Sequence, residues 1–270
     1  MQEYLDLVQR VLTSGVYKKN RTGIDTISSF AEQYKVDLSK GFPLLTTKRV
    51  NFKAMLYEVL WYLSGEDHIR NLRKHTKIWD AWADEEGKLD SAYGRYWRRF
   101  PSARLNAETG NYDVVEVDQI ANVIELLKAD PTSRRMVVTA WEPGNAFSSK
   151  LPPCHYTFAF NVQGNKMSCH LTQRSGDIAI GIPFNLAAYS LLTQIIAQET
   201  GFEPGWFSHT IVDAHIYVNH VDGLKDQLKR TPKPLPRLEI ARKPIDDLQF
   251  DDFNLIGYEC YEPIKFEVAV

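Results

Sequence analysis

Apolar residues recur along this 270-residue chain with two periods, and the change from one to the other marks its elements. Tyr4, Val8, Val11 and Leu12 fall at helical spacing, which predicts an N-terminal amphipathic helix closed by Thr13, Ser14 and Gly15. The polar loop NRTGIDT (20–26) leads into a strand-like stretch, ISSFAEQYKVDL (27–38). The clearest helix is NFKAMLYEVLWYLSG (51–65), where Phe52, Met55, Leu56, Val59, Leu60 and Leu63 share one face and Gly65 stands past the end. Residues 98–117 show the least pattern and read as an exposed excursion. A second helix follows, with Ile120, Val123, Ile124 and Leu127 aligned.

The second half changes period. YTFAFNV (156–162) alternates, with Tyr156, Phe158, Phe160 and Val162 on one side, and KMSCHLTQ (166–173) is its hairpin partner across Gln163, Gly164 and Asn165. Residues 184–201 predict a long buried helix, HTIVDAHIY (209–217) a strand, and 218–230 another helix. Helices interspersed with hairpins imply an α+β fold, a single domain around a mixed β-sheet; no repeat or linker divides it.

Composition narrows the partners. With 44% hydrophobic residues and a formal net charge of -2, the chain has the make-up of an ordinary soluble protein and not of a nucleic-acid or membrane-surface protein. No apolar run approaches the roughly 18 residues of a membrane span. The acid-bearing N-terminal helix does not read as a signal peptide, so a cytoplasmic location is expected. Three cysteines (Cys154, Cys169, Cys260) make no disulfide framework and no C-x-x-C, and the five-residue spacing of His215 and His220 misses the helical metal-ligand pattern. No metal is expected.

The candidate chemistry centres on LPPCHYTF (151–158). Cys154 has two readings, an inert core thiol and a nucleophile. His155 does not decide between them, because consecutive strand residues point to opposite faces. Activation would instead require positive charge from elsewhere, and Arg21, Arg134, Arg135 and Arg174 are available. Arginine beside a hydroxyl, as in Arg174 with Ser175, suits a phosphate group. Asn185 follows a Gly-x-Pro sequence, where it reads either as a helix N-cap or as a base-reading amide. That amide matches a uracil edge and, flipped, a cytosine edge. His215 and Tyr217 share a strand face, and Glu58 sits among apolar neighbours on a helix, the setting of a candidate general acid or base.

These stretches, with GFPLLTTKR (41–49), IWDAWADEEGKL (78–89), AYGRYWR (92–98), PTSRRMVV (131–138), QRSGDIAIGIPFNLAAY (173–189), DAHIYVNHVDGLKDQL (213–228) and the terminal VAV, run in an order that closely resembles the thymidylate synthase family of folate-dependent, cysteine-nucleophile enzymes. The resemblance covers nearly the whole chain, and implies reductive methylation of dUMP to dTMP, with 5,10-methylenetetrahydrofolate as carbon donor and reductant and no nicotinamide. It implies a homodimer formed through a face of the sheet. By the same resemblance Cys154 is the nucleophile, with Glu58, Tyr93, His155 and Asp177 in its proton-transfer and pterin-facing network. Arg21, Arg174 and Ser175 would hold phosphate, joined by Arg134 and Arg135 of the second subunit. Gln173 and Asn185 would face the base, and His215 and Tyr217 the sugar. Asn51, Ile78, Trp79, Trp82, Ile180, Gly181, Phe184 and Val270 would contact folate.

Tyr96, Val212 and Asn51 depart from the family's usual glutamine, glycine and histidine, and the loop after Arg98 is longer than in compact members. Two other readings compete. One is a dUMP hydroxymethylase using the same folate; the other is a non-catalytic nucleotide-binding relative. Asn185 together with Trp79, Trp82 and the VAV tail favours the methyl-transferring reading.

Overall fold

The computed structural model describes residues 1–20 and 22–268; Arg21 and Val270 therefore lie outside the described residues. Its frame is a six-stranded mixed sheet in the order β1-β2-β8-β7-β6-β5. These strands are β1 (Val16–Lys18), β2 (Thr26–Asp37), β5 (Val137–Thr139), β6 (His155–Gln163), β7 (Lys166–Asp177) and β8 (Glu203–Tyr217). All pairs are antiparallel except β7 with β8. The expected β6–β7 hairpin is present, and Gly164 at its turn takes a φ of 62°, which favours glycine. Two hairpins stand apart from the sheet: β3 (Phe100–Leu105) with β4 (Tyr112–Val117), and β9 (Arg237–Ile240) with β10 (Phe253–Ile256).

Parallel pairing of β7 and β8 requires a crossover, and α6 (Gly181–Thr200) supplies it. Leu186, Ala187, Tyr189, Leu191, Ile195 and Ile196 are all essentially inaccessible and no residue of this helix is exposed, as its mainly apolar sequence, with small polar residues between, allows. One sheet face, carrying Phe158, Phe160, Met167, Leu171, Phe207 and Ile211, packs into this core. Cys169 lies there as well, so the inert thiol is this one. The opposite face leaves Phe30 83% and Trp206 38% exposed. The remaining helices are α1 (Gln2–Ser14), α2 (Phe52–Leu63), α3 (Tyr93–Arg98), α4 (Gln119–Ala129), α5 (Pro143–Ala146) and α7 (Val221–Leu228).

Three boundaries differ from the sequence reading. Helix α6 starts at Gly181, so Asn185 lies inside its second turn and is not its N-cap. Pro183 misleads there, because a proline in a helix's first turn gives up no hydrogen bond. The unpatterned stretch 98–117 pairs into the β3–β4 hairpin, whose residues are mostly exposed on both faces and so lack alternation. A 3-10 turn, Val218–His220, precedes α7, which is shorter than expected.

Helix α3 comes very close to α2 at Gly94. A β-carbon there would lie 2.7 Å from the Tyr62 carbonyl oxygen and 3.1 Å from the Tyr62 Cα, both backbone atoms with little room to yield. Gly94→Ala is expected to cost about 1–3 kcal/mol of stability. A lowered denaturant midpoint at unchanged m-value checks this, and an unshifted midpoint contradicts it.

Candidate active site

One cavity of about 530 Å³ opens where the ends of β7 and β8, the start of β6 and the N-terminus of α6 converge. Cys154 sits on its wall, half-buried, just before β6. Its main chain is fixed on both sides: its N–H donates to the Tyr93 hydroxyl (2.8 Å) and its carbonyl accepts from the Arg174 N–H (2.8 Å). The Arg174 guanidinium folds around the same turn. Its Nε donates to the Pro153 carbonyl (3.0 Å), and its Nη2 to the Pro152 carbonyl (2.7 Å) and to Cys154 Sγ (3.6 Å). A cation held there strengthens its hydrogen bond as the sulfur gains negative charge.

His155 turns inward, away from this role. Its ring stacks on Tyr93 at 3.8 Å and its Nδ1 lies 2.7 Å from the Tyr189 hydroxyl. Burial pushes its pKa down to about 3, so it is neutral. Glu58, buried on α2, accepts from Trp79 Nε1 at 2.7 Å. Burial holds its carboxyl above the ordinary range, against the lowering effect of hydrogen bonds from Trp79 and Tyr62. A carboxyl so placed holds its proton more tightly than a free one, which suits a group that takes up and returns protons.

The cavity is lined by both polar and apolar side chains. The polar ones include Gln173, Arg174, Ser175, Asn185, His215 and Tyr217. Gln173 Nε2 donates to Asn185 Oδ1 (3.1 Å). His215 and Tyr217 rings meet edge to face, as their shared strand face implies. Asp213 joins them: its carboxylate is held well below the usual range by hydrogen bonds from His215, Lys18 and Ser28. Ile78, Trp79, Trp82, Ile180 and Phe184 are its apolar lining, and Gly181 and Asp177 line it as well. Asp177 Oδ1 accepts from the Ala179 N–H (2.9 Å), and Val268 of the C-terminal tail reaches the rim.

Three expected residues stand elsewhere. Arg134 and Arg135 are exposed on the turn before β5, outside the cavity. Asn51 is exposed and caps α2, accepting from the Ala54 N–H (3.1 Å). The cavity also includes Asp213, which the DAHIYVNH stretch supplies beside His215 and Tyr217, and Lys18 and Lys19, which no sequence argument singled out, although the paired lysines beside NRTG were a cationic signal. Lys48 is a further omission: buried next to Asp177, it donates to the Ala179 carbonyl, and burial pushes its pKa down to about 8. Among the described residues, no group of three or more His, Cys, Asp or Glu side chains could hold a metal ion, and no helix is long and apolar enough to cross a membrane.

A raised folded-state pKa makes Glu58 a pH-dependent burden. Its stability contribution is intact below about 4.5 and is lost as pH rises through the folded value. Glu58→Gln keeps an acceptor for Trp79 and removes that loss. The variant should therefore gain stability relative to the parent between pH 4 and pH 8, read by urea unfolding. A difference that stays flat with pH would contradict the assignment.

The sequence model of the thymidylate synthase family matches residues 2–270. The chain is also 45% identical, over 326 aligned positions, to a thymidylate synthase of Haloferax volcanii; the match covers 98% of this chain and 95% of that protein. With the family model spanning almost every residue that builds the cavity, this chain belongs to the thymidylate synthase family and is a methyltransferase of that type.

Proposed function

We propose that this protein methylates dUMP to dTMP, consuming 5,10-methylenetetrahydrofolate and releasing dihydrofolate. The observation that carries this reading is the Cys154–Arg174 contact in a cavity that also presents Glu58 and Asn185. A sulfur beside a fixed cation is suited to add to an electron-poor ring carbon, here C6 of uracil. Addition there makes C5 a carbon nucleophile that would bond the folate's methylene carbon; loss of the C5 proton would then break the bond from that carbon to the folate nitrogen and release tetrahydrofolate, and hydride from the tetrahydrofolate would reach the exocyclic methylene as the sulfur leaves C6, restoring the ring. Glu58, with its raised affinity for protons, is the group to manage transfers around C4 and C5, with Trp79 and Tyr62 holding it in place. Tyr93 and His155 back the cysteine from behind. Arg174 and Ser175, with Arg21, are assigned to the phosphate, Gln173 and Asn185 to the base, and His215 and Tyr217 to the sugar hydroxyl.

The apolar wall fits a folate. Flat rings of Trp79 and Trp82 with Ile78, Ile180 and Phe184 suit a pterin and its benzoyl group, and the Asp177 carboxylate can accept from pterin N–H groups. Folate would supply the one-carbon unit and then a hydride. Closure by the tail that ends at Val270 would keep water from competing with that hydride. Asn51, exposed and engaged in capping, fits a folate contact only at the outer rim.

A homodimer completes the reading. Phe30, Trp206 and Val137 are exposed apolar residues on strands of one sheet, the kind of surface a second copy would bury. Arg134 and Arg135, unused by the cavity of their own chain, would then serve the phosphate of the partner's site.

Incubation with dUMP and methylenetetrahydrofolate tests the reaction. We expect dTMP and dihydrofolate; hydroxymethyl-dUMP with tetrahydrofolate would instead establish the hydroxymethylase. Cys154→Ala should bind dUMP yet turn none over, and residual turnover at the parent rate would refute the nucleophile. Mixing Arg134→Ala with Cys154→Ala chains should restore part of the activity, since one hybrid site keeps both groups. A verified heterodimer without activity would argue against shared sites.

A further inference from the structure

Behind Asn185 runs a buried chain of hydrogen bonds whose direction can be deduced. Gln173 Nε2 lies 2.9 Å from the Ser175 carbonyl and 3.1 Å from Asn185 Oδ1. A main-chain carbonyl only accepts, so this atom is the amino end of the Gln173 amide and Oε1 faces the other way. Gln173 Oε1 lies 3.0 Å from His209 Nε2, which must therefore carry the hydrogen. His209 is fully buried and its pKa is pushed down to about 3, so the ring is neutral and Nδ1 is bare. Nδ1 lies 2.9 Å from the Tyr34 hydroxyl, which donates to it.

Three hydrogen bonds thus point one way, from Tyr34 on β2 through His209 on β8 and Gln173 on β7 to Asn185 on α6. Their effect falls on Asn185. Its oxygen is turned to meet the Gln173 amino group; a flipped amide would set two amino groups against each other with no acceptor between them. Uracil offers an N–H at N3 beside an acceptor at C4, whereas cytosine offers a bare N3 beside an amino group. An amide free to flip would accept both.

We propose that Tyr34 and His209 are positioning residues for base selection, fixing the polarity of the Gln173–Asn185 pair so that Asn185 meets a uracil edge and rejects a cytosine edge. This rests on Asn185 being the base-facing amide. Neither Tyr34 nor His209 lines the cavity. Both are buried, and the His209 ring is wedged between Tyr34 and Phe207, which leaves it no room to swing away.

The test compares the binding of dUMP and dCMP to the full protein and to three variants. His209→Phe keeps the ring shape but neither donor nor acceptor, and should narrow the preference for dUMP over dCMP about tenfold, by weakening the binding of dUMP and strengthening that of dCMP. His209→Gln keeps one acceptor and one donor and should recover most of that preference. Tyr34→Phe, a milder change that keeps the question open if His209→Phe fails to fold, should narrow it in the same direction. A merely structural role would weaken both nucleotides equally, and that result overturns the proposal, as does an unchanged preference in Tyr34→Phe. The His209 tautomer is read separately, by 15N NMR of the nucleotide-free protein. A hydrogen on Nε2 is expected, and one on Nδ1 overturns the chain of bonds whatever the protein does to dUMP. Absence of dUMP turnover in the parent would instead sink the reaction, with the base-selecting role, while leaving the tautomer result standing.

Discussion

The Arg174 guanidinium closed around the turn at Pro152, Pro153 and Cys154 is the constraint on which the site depends. The Pro152 and Pro153 carbonyls both accept from it, since arginine's planar fork reaches the two oxygens while still touching the sulfur. The side chain that positions the cysteine is thus also the one that supplies its positive charge. Main-chain pairing of Arg174 with Cys154 removes the remaining freedom. Rotation of that guanidinium would release the geometry and the electrostatics together.

Neutral groups do the rest of the supporting work around the thiol. His155 and His209 are both held uncharged by burial, so neither competes with Arg174 as a cation. Glu58 is a buried acid lining the same cavity, and burial raises its affinity for a proton. The cavity lining thus combines the basic side chains of Lys18, Lys19 and Arg174 with a buried carboxyl, Glu58, held by Trp79 and Tyr62.

Periodicity alone made α1, α2, α4 and the body of α6 legible, because each buries one stripe or all of its surface. It failed at 98–117, where both faces of a hairpin meet solvent, and at the start of α6, where Pro183 imitates a turn. The site was legible only through the order of its motifs. That Cys154 meets Arg174 follows from β6–β7 pairing, which local sequence does not state. The pairing of Tyr34 with His209 is a β2–β8 register match across 175 residues, and nothing in either stretch announces it. Arg134 and Arg135 remained ordinary surface arginines until the resemblance gave them a role, and one chain shows them only as exposed.

Helix α6 has a consequence for how such a site can change. Because it is buried on every side, it has no lubricated face along which to slide or turn. Its first turns bring both Phe184 and Asn185 to the cavity wall. These two side chains are therefore adjacent teeth on one fixed rod. Drift that repacks this helix around Phe184 must displace Asn185 as well, so the apolar and polar parts of the wall that it carries are bound to evolve jointly.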